Sequence, residues 1–310
     1  MKICVTGCCG FLGSVLTPML LQAGHEIVGV DNLMYGQFTL AECFANPKFT
    51  FVRGDCRDSK LVGSLIAESD FFLPLAAIVG APACDLRQNE AWEVNCQAIK
   101  DVVPFLLKSG CRVIFPNTNS GYQSGSDMLC TEDSPLEPVS YYGHIKVRAE
   151  EVVLDLNGIS LRLATLMGMS PRMRFDLLVN DFCYRAATNR CIVLFEPHFR
   201  RNYLHVRDAA SIFLWGIDRF DQMVGRVYNA GLPDANLTKR ELAERIKHQI
   251  PDLSIIEAPI GSDPDKRDYI CDNSRILATG WKPKHCLDGT IAEVLRAMPI
   301  FQHHQQWRNA

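Results

Sequence analysis

Residues 2–13, KICVTGCCGFLG, place three glycines, Gly7, Gly10 and Gly13, directly after a short run rich in β-branched side chains. No other stretch limits the possible folds as strongly. Such a turn has a residue free to take positive φ, lets a pyrophosphate approach bare amides, and lets the following helix pack close to its strand. The helix N-terminus then offers N–H groups and a partial positive charge to the phosphates. The stretch predicts strand, turn and helix at the head of a parallel sheet. Its GxxGxxG spacing departs from the usual GxGxxG dinucleotide fingerprint.

The rest of the N-terminal half keeps that rhythm. Strands are predicted at 2–6, 26–30, 49–53, 71–75, 112–116 and 159–163, with helices at 11–22, 58–68, 88–108 and 141–156 between them. Alternation of this kind belongs to an α/β fold with a doubly wound parallel (Rossmann) sheet. Pro104 should kink the third helix. Past residue 165 the pattern turns irregular, with a helix near 175–189 and another at 207–219 that packs back on the sheet. We expect a nucleotide-binding domain over 1–165 plus about 201–222, and a smaller C-terminal α/β lobe from 166–200 and 223–310.

Composition then excludes several classes. A net charge of −3 supplies no basic field for nucleic acid or an anionic membrane, and no apolar run nears the ~18 residues of a membrane helix. MKICVTG runs straight into a strand without an export leader, so a cytoplasmic protein is expected. Its 13 cysteines form no CxxC pair and sit mostly in apolar runs, as reduced thiols do. The eight histidines are not clustered, and no metal site is expected.

Asp31 ends the second predicted strand, 18 residues past Gly13. A carboxylate there accepts both ribose hydroxyls and repels a 2′-phosphate, favouring NAD over NADP; the plainer alternative is a turn-forming Asp. Asp55, in GDCRD, could meet an adenine amino group or be an ordinary turn residue. Strand five runs into PNTNSGYQSG, and ligands of open α/β sheets bind beyond the carboxyl ends of the strands, which puts Thr118 near the site. In SYYGHIKVRAEE, Tyr142 and Lys146 are four apart and share a helix face. A free phenol has pKa ~10; a nearby ammonium and a positive nicotinamide ring would lower it. Tyr142 can then take the proton of a hydroxyl whose carbon gives hydride to NAD, with Thr118 orienting that hydroxyl and Lys146 holding the nicotinamide ribose. The alternative is a surface Tyr–Lys pair beside a cap-rich loop.

Together, GxxGxxG, Asp31, PLAAIVG, Asn95 in EVNCQA, Thr118 and YxxxK resemble the extended short-chain dehydrogenase/reductase family, the nucleotide-sugar epimerases and dehydratases. Its members share the GxxGxxG spacing. The likeness continues in RRNYLHVRDAA, VYNAGLP and DPDKRDYICDNSRILATGWKP. The resemblance implies NAD held by Gly7, Gly10, Phe11, Leu12, Gly13, Asp31, Asn32, Asp55, Cys56, Leu75, Ala76, Ala77 and Asn95, with Tyr142 and Lys146. It also implies a nucleoside diphosphate sugar held by Thr118, Asn119, Ser120, Arg174, Asn180, Arg201 and Arg267. Arginine suits phosphate through its planar fork. Arg172 is a further candidate; Arg201 could instead pair with an acid, and Arg200 could trade roles with it.

Departures from the family narrow the chemistry. The 4,6-dehydratases carry an acidic pair after the active-site Thr, where this chain has Asn119 and Ser120. The 3,5-epimerase/4-reductases use a Cys at the Ser120 position and a distant His; RFDLLVNDF holds none. Plain oxidation at C4 remains, as a 4-epimerase or 4-dehydrogenase. PNTNSGY, SPRMRFDLLVNDF and HFRRNYLHVRD resemble enzymes modifying GDP-D-glycero-D-manno-heptose for bacterial surface polysaccharides. The alternatives are a 4,6-dehydratase or a non-catalytic NAD-binding regulator. The resemblance implies a homodimer through helices 88–108 and 141–156.

Overall fold

The computed structural model describes residues 1–36, 39–123, 125, 129–258 and 267–301. Residues 263–266 of the last resembling stretch, and 302–310 of the expected C-terminal lobe, lie outside the described residues. Strands β1 (Lys2–Thr6), β2 (Glu26–Asp31), β3 (Phe49–Arg53), β4 (Phe71–Pro74) and β5 (Arg112–Thr118) join Ile159–Leu163 and Val227–Ala230 in one sheet. Its order is Val227–Ala230, Ile159–Leu163, β5, β4, β1, β2, β3, and every pairing is parallel. From β1 the chain runs outward to β2 and β3, then crosses back to β4 and β5. The crevice beyond the carboxyl ends of β1 and β4 is therefore the topological switch point.

Strands covered on both faces are apolar throughout rather than alternating. On β1, Ile3 and Val5 enter one core while Cys4 enters the other. The first core packs the helices Gly13–Gln22 and Val206–Asp218 through Leu16, Leu20, Ala209 and Phe213. It runs on without a break into Met167, Phe175 and Val179, so the later residues share one face of the sheet. The second core packs Ser59–Ile66, Ala98–Ser109 and Tyr141–Asp155 through Val62, Val102, Leu106, Ile145 and Val153. Away from the sheet, Thr165–Met167 pairs with Tyr203–His205, and Cys191–Leu194 with Ser254–Glu257.

The doubly wound expectation holds, with two corrections. Val227–Ala230, assigned above to the C-terminal lobe, is an edge strand of the central sheet, paired with Ile159–Leu163. The helix expected over 88–108 is three pieces: Gln88–Trp92, a wide π-helical turn at Glu93–Gln97, and Ala98–Ser109. Pro104 lies inside the last piece without ending it. The π turn centres on Asn95, whose buried amide accepts from Ile78 N and donates to Ile78 O, both at 2.8 Å. A π turn of this kind re-aims one side chain at the cost of local helix regularity.

Among the described residues no helix is long and apolar enough to cross a membrane. All 13 cysteines are free, and most are buried.

The glycine turn is fixed by sterics. Gly7 has φ 72°, and a Cβ there would lie 2.5 Å from Ala76 N; at Gly13 it would lie 2.3 Å from Gly7 O. Both obstacles are backbone and cannot swing away. Gly7→Ala should therefore cost at least about 1–3 kcal/mol of stability, read as a lower urea midpoint with an unchanged slope. An unshifted midpoint would contradict the tight packing of the turn on Leu75 and Ala76.

Candidate active site

The switch-point crevice opens as a groove whose first section is lined by Gly7, Gly10, Asp31, Asn32, Asp55, Cys56, Leu75, Ala76 and Ala77. Asp31 serves two purposes there. Its Oδ1 accepts from Leu33 N at 2.8 Å, the turn role, while Oδ2 accepts from Cys9 N at 2.9 Å and so braces the glycine turn. Asp55 is more committed. Arg57 donates to both of its oxygens, at 2.9 and 2.8 Å, and that guanidinium pulls its carboxyl down to about 2. Asn32 adds a weak contact at 3.4 Å.

These features fit a dinucleotide. The turn places no side chain over its backbone amides, the helix Gly13–Gln22 points its N-terminus at the groove, and Asp31 lines it with a carboxylate of the kind that suits a ribose diol. Cys8, Cys9 and Asp31 are close enough to share an ion, their thiols 4.0 Å apart; among the described residues this is the one such cluster, and it underlies the same turn.

A second section, about 1860 Å³ of open space, continues past Phe11, Leu12 and Gly13 to Thr118, Tyr142 and Lys146. Ser140 caps the helix Tyr141–Asp155 by accepting from Gly143 N at 3.1 Å, which sets Tyr142 and Lys146 in the first turns on the groove side. Lys146 is buried, with Nζ donating to Pro116 O at 2.6 Å and standing 3.8 Å from the centre of the Phe115 ring. Thr118 closes β5; its Oγ1 accepts from Ser120 N at 3.1 Å and lies 2.9 Å from Ser120 Oγ. The hydroxyl, phenol and amine predicted from the sequence thus line one cleft.

Their electrostatics differ from expectation. Burial pushes the Tyr142 phenol above its ordinary range; Cys84 adds to this, while Arg267 and Arg174 oppose it. Burial also pulls Lys146 down to about 7, with Glu150 opposing. The leading cations acting on the phenol are therefore two arginines from beyond the sheet, not the lysine one turn along.

Of the expected arginines, Arg174, Arg201 and Arg267 line this section. Arg174 pairs with Asp176 at 2.5 Å, Arg201 donates to Arg200 O at 3.0 Å, and Arg267 bonds the Ser120 hydroxyl. Arg200 pairs with Asp268 at 2.9 Å. Arg172 reaches both sections, its guanidinium 4.2 Å from the centre of the Tyr35 ring. Nearby, Ser170 Oγ donates to Phe11 O at 2.7 Å and lies 3.0 Å from Ser14 Oγ, tying this segment to the glycine turn.

Four expected residues do not line the groove. Asn95 clamps Ile78, and Asn180 likewise accepts from Gly168 N at 3.0 Å and donates to Arg174 O at 3.0 Å. Asn119 and Ser120 are buried behind Thr118. Tyr35, Asp176 and Asp181 do line it, and nothing in their local sequence announced them.

Comparison with known proteins agrees with this geometry. Residues 3–231 match the NAD dependent epimerase/dehydratase family. A low-salt glycan biosynthesis protein of Haloferax volcanii, Agl12, is 26% identical over 92% of this chain and 94% of its own. CDP-paratose 2-epimerase of Salmonella typhi is 25% identical over 92% and 95%. A Thermotoga maritima UDP-glucose 4-epimerase solved with UDP-glucose superposes with a TM-score of 0.85 at 21% identity, covering 97% of this chain and 99% of the other.

Lys146 makes stability depend on pH in a definite direction. Its folded pKa of about 7 lies below the ordinary 10.5, so between those values the unfolded chain holds a proton that the folded chain lacks. Stability contributed by the neutral amine is complete above pH ~10.5 and falls away as pH drops towards 7, by about 1.4 kcal/mol per unit. Lys146→Met should thus gain stability relative to the parent as pH falls from about 10 to 7, measured by urea denaturation of ligand-free protein. A pH-independent difference would contradict the burial of this amine.

Proposed function

The chain belongs to the NAD-dependent epimerase/dehydratase family, and from that membership we propose that it acts at C4 of a nucleoside diphosphate sugar as a 4-epimerase that keeps its NAD. The observation that carries this reading is the chemistry gathered around Thr118: a phenol and an amine line the cleft with it, and no carboxylate follows it. Eliminating water needs a further acid and base at C5 and C6. The cleft's carboxylates are engaged elsewhere, Asp176 by Arg174 and Asp181 by Arg185 at 2.6 Å.

NAD held by the glycine turn and Asp31 would supply the hydride acceptor for C4. The protein's residues do the rest. Thr118 and Tyr142 hold the C4 hydroxyl, and Tyr142 takes its proton as the carbon is oxidised. Arg267 and Arg174 favour the phenolate, and Lys146 steadies the nicotinamide ribose beside it. The keto sugar then turns in the cleft, and Tyr142 returns the proton to the oxygen once C4 is reduced on the opposite face. Arg201 and Arg267 grip the diphosphate.

Retention of NAD is supported by the segment that crosses the groove, Ser170 latched to the glycine turn and Arg172 stacked on Tyr35. A role in surface glycan synthesis is supported by the likeness to Agl12, and the three stretches noted above make GDP-D-glycero-D-manno-heptose the first substrate to try. The same reading pairs two copies through Ala98–Ser109 and Tyr141–Asp155, where Leu107 is 69% exposed.

Offered UDP-, dTDP- and GDP-sugars in turn, the purified protein should yield a C4 epimer with no net NADH. Tyr142→Phe should lower kcat about 10²–10⁴-fold with cofactor binding intact. Release of a 4-keto sugar with NADH would make it a dehydrogenase, and a 4-keto-6-deoxy product would make it a dehydratase.

A further inference from the structure

One more turn along the helix Tyr141–Asp155, Glu150 follows Tyr142 and Lys146 on the same stripe. It is 2% exposed, and its carboxylate is filled from three sides. Oε2 accepts from Asn117 Nδ2 at 2.6 Å, Ser160 Oγ at 2.5 Å and Arg162 Nε at 3.1 Å, while Oε1 accepts from Arg162 Nη2 at 2.6 Å. Asn117 stands between Pro116, whose carbonyl receives Lys146, and Thr118. One buried anion therefore ties the helix bearing the phenol to the strand end bearing the hydroxyl.

Stability alone gives little reason for such a pair, since well-packed apolar residues of like volume often do as well or better. We propose that Glu150 is the positioning residue of this active site: its buried carboxylate favours the protonated form of Lys146, and its bond to Asn117 holds the end of β5 where Lys146 and Thr118 need it. The catalytic half of this inference rests on Tyr142 being the base.

The groups facing Lys146 come from each element packed on it. β5 gives the Phe115 ring and the Pro116 carbonyl, the helix Ala81–Leu86 gives the Cys84 thiol, the π turn gives Cys96, and its own helix gives Glu150. Burial favours the neutral amine, and Glu150 is the strongest influence against it. Without that charge the amine loses its proton more readily, and one cation beside the cofactor ribose and phenol is gone.

The direct test measures the ionisation of Lys146 in full-length protein by competitive acetic anhydride labelling, read by peptide mass spectrometry across pH. In Glu150→Gln the labelling midpoint should fall by about one unit or more, or about tenfold faster labelling below the parent's midpoint. Ser160→Ala removes a hydrogen bond from the same oxygen but no charge, and should leave the midpoint in place. The alkaline limb of turnover in Glu150→Gln, where the ammonium is lost, should move to lower pH, a shift that a loosened fold does not produce. If that variant does not fold, the double substitution Glu150→Gln with Arg162→Met removes both buried charges and should still lower the midpoint, by less, because a cation leaves with the anion. An unmoved midpoint in a folded variant overturns the inference. Normal turnover by Tyr142→Phe would instead remove the base, and the catalytic half with it, while the labelling result still decides whether Glu150 holds the lysine's proton.

Discussion

The chemical end of this molecule depends on one buried amine, Lys146, docked on the Pro116 carbonyl at 2.6 Å. The bond joins the helix that presents Tyr142 to the strand end that presents Thr118, and so sets the spacing of the three groups. It does not hold itself in place. When the amine is protonated, its charge-assisted hydrogen bond contributes about 1.5–3 kcal/mol, whereas burying the ion costs several. The difference is met by packing: Ile145, Ala149 and Val153 on the same helix are fully buried against the sheet. The fold forces the amine into position.

That forcing links protonation to occupancy. Tyr142 and Lys146 both sit where burial favours the uncharged form. A phenol in such a place stays protonated until cations gather around it. Arg267 and Arg174 come from parts of the chain outside the sheet, each already held to a polar partner, Ser120 and Asp176. The base is thus made by the whole cleft rather than by one residue pair. Spacing on a single helix therefore located the site better than it explained its acidity.

Much of this was legible because it is local. A β-branched run followed by three glycines admits one strand, one turn and one helix, and backbone contacts at Gly7 and Gly13 enforce it. Tyr142 and Lys146 share a helix face by periodicity alone. What could not be read depends on distant partners. The break at Glu93–Gln97 exists because Asn95 meets Ile78, 17 residues back. Asn180 and Asn95 were expected to hold ligands, yet an amide satisfies backbone equally well, and its sequence does not say which it faces. Arg172 and Arg174 are two residues apart but find different neighbours, Tyr35 and Asp176. Val227–Ala230 is only four residues long, too short to announce its place at the sheet edge.

The central claim is geometric, and a crystal structure with NAD and a nucleotide sugar bound tests it most directly. It should show the Tyr142 oxygen within about 3 Å of the C4 hydroxyl, Thr118 on the same oxygen, and the nicotinamide ring over C4. A sugar held with C4 turned away from Tyr142, or a nicotinamide ring remote from that phenol, would contradict the account.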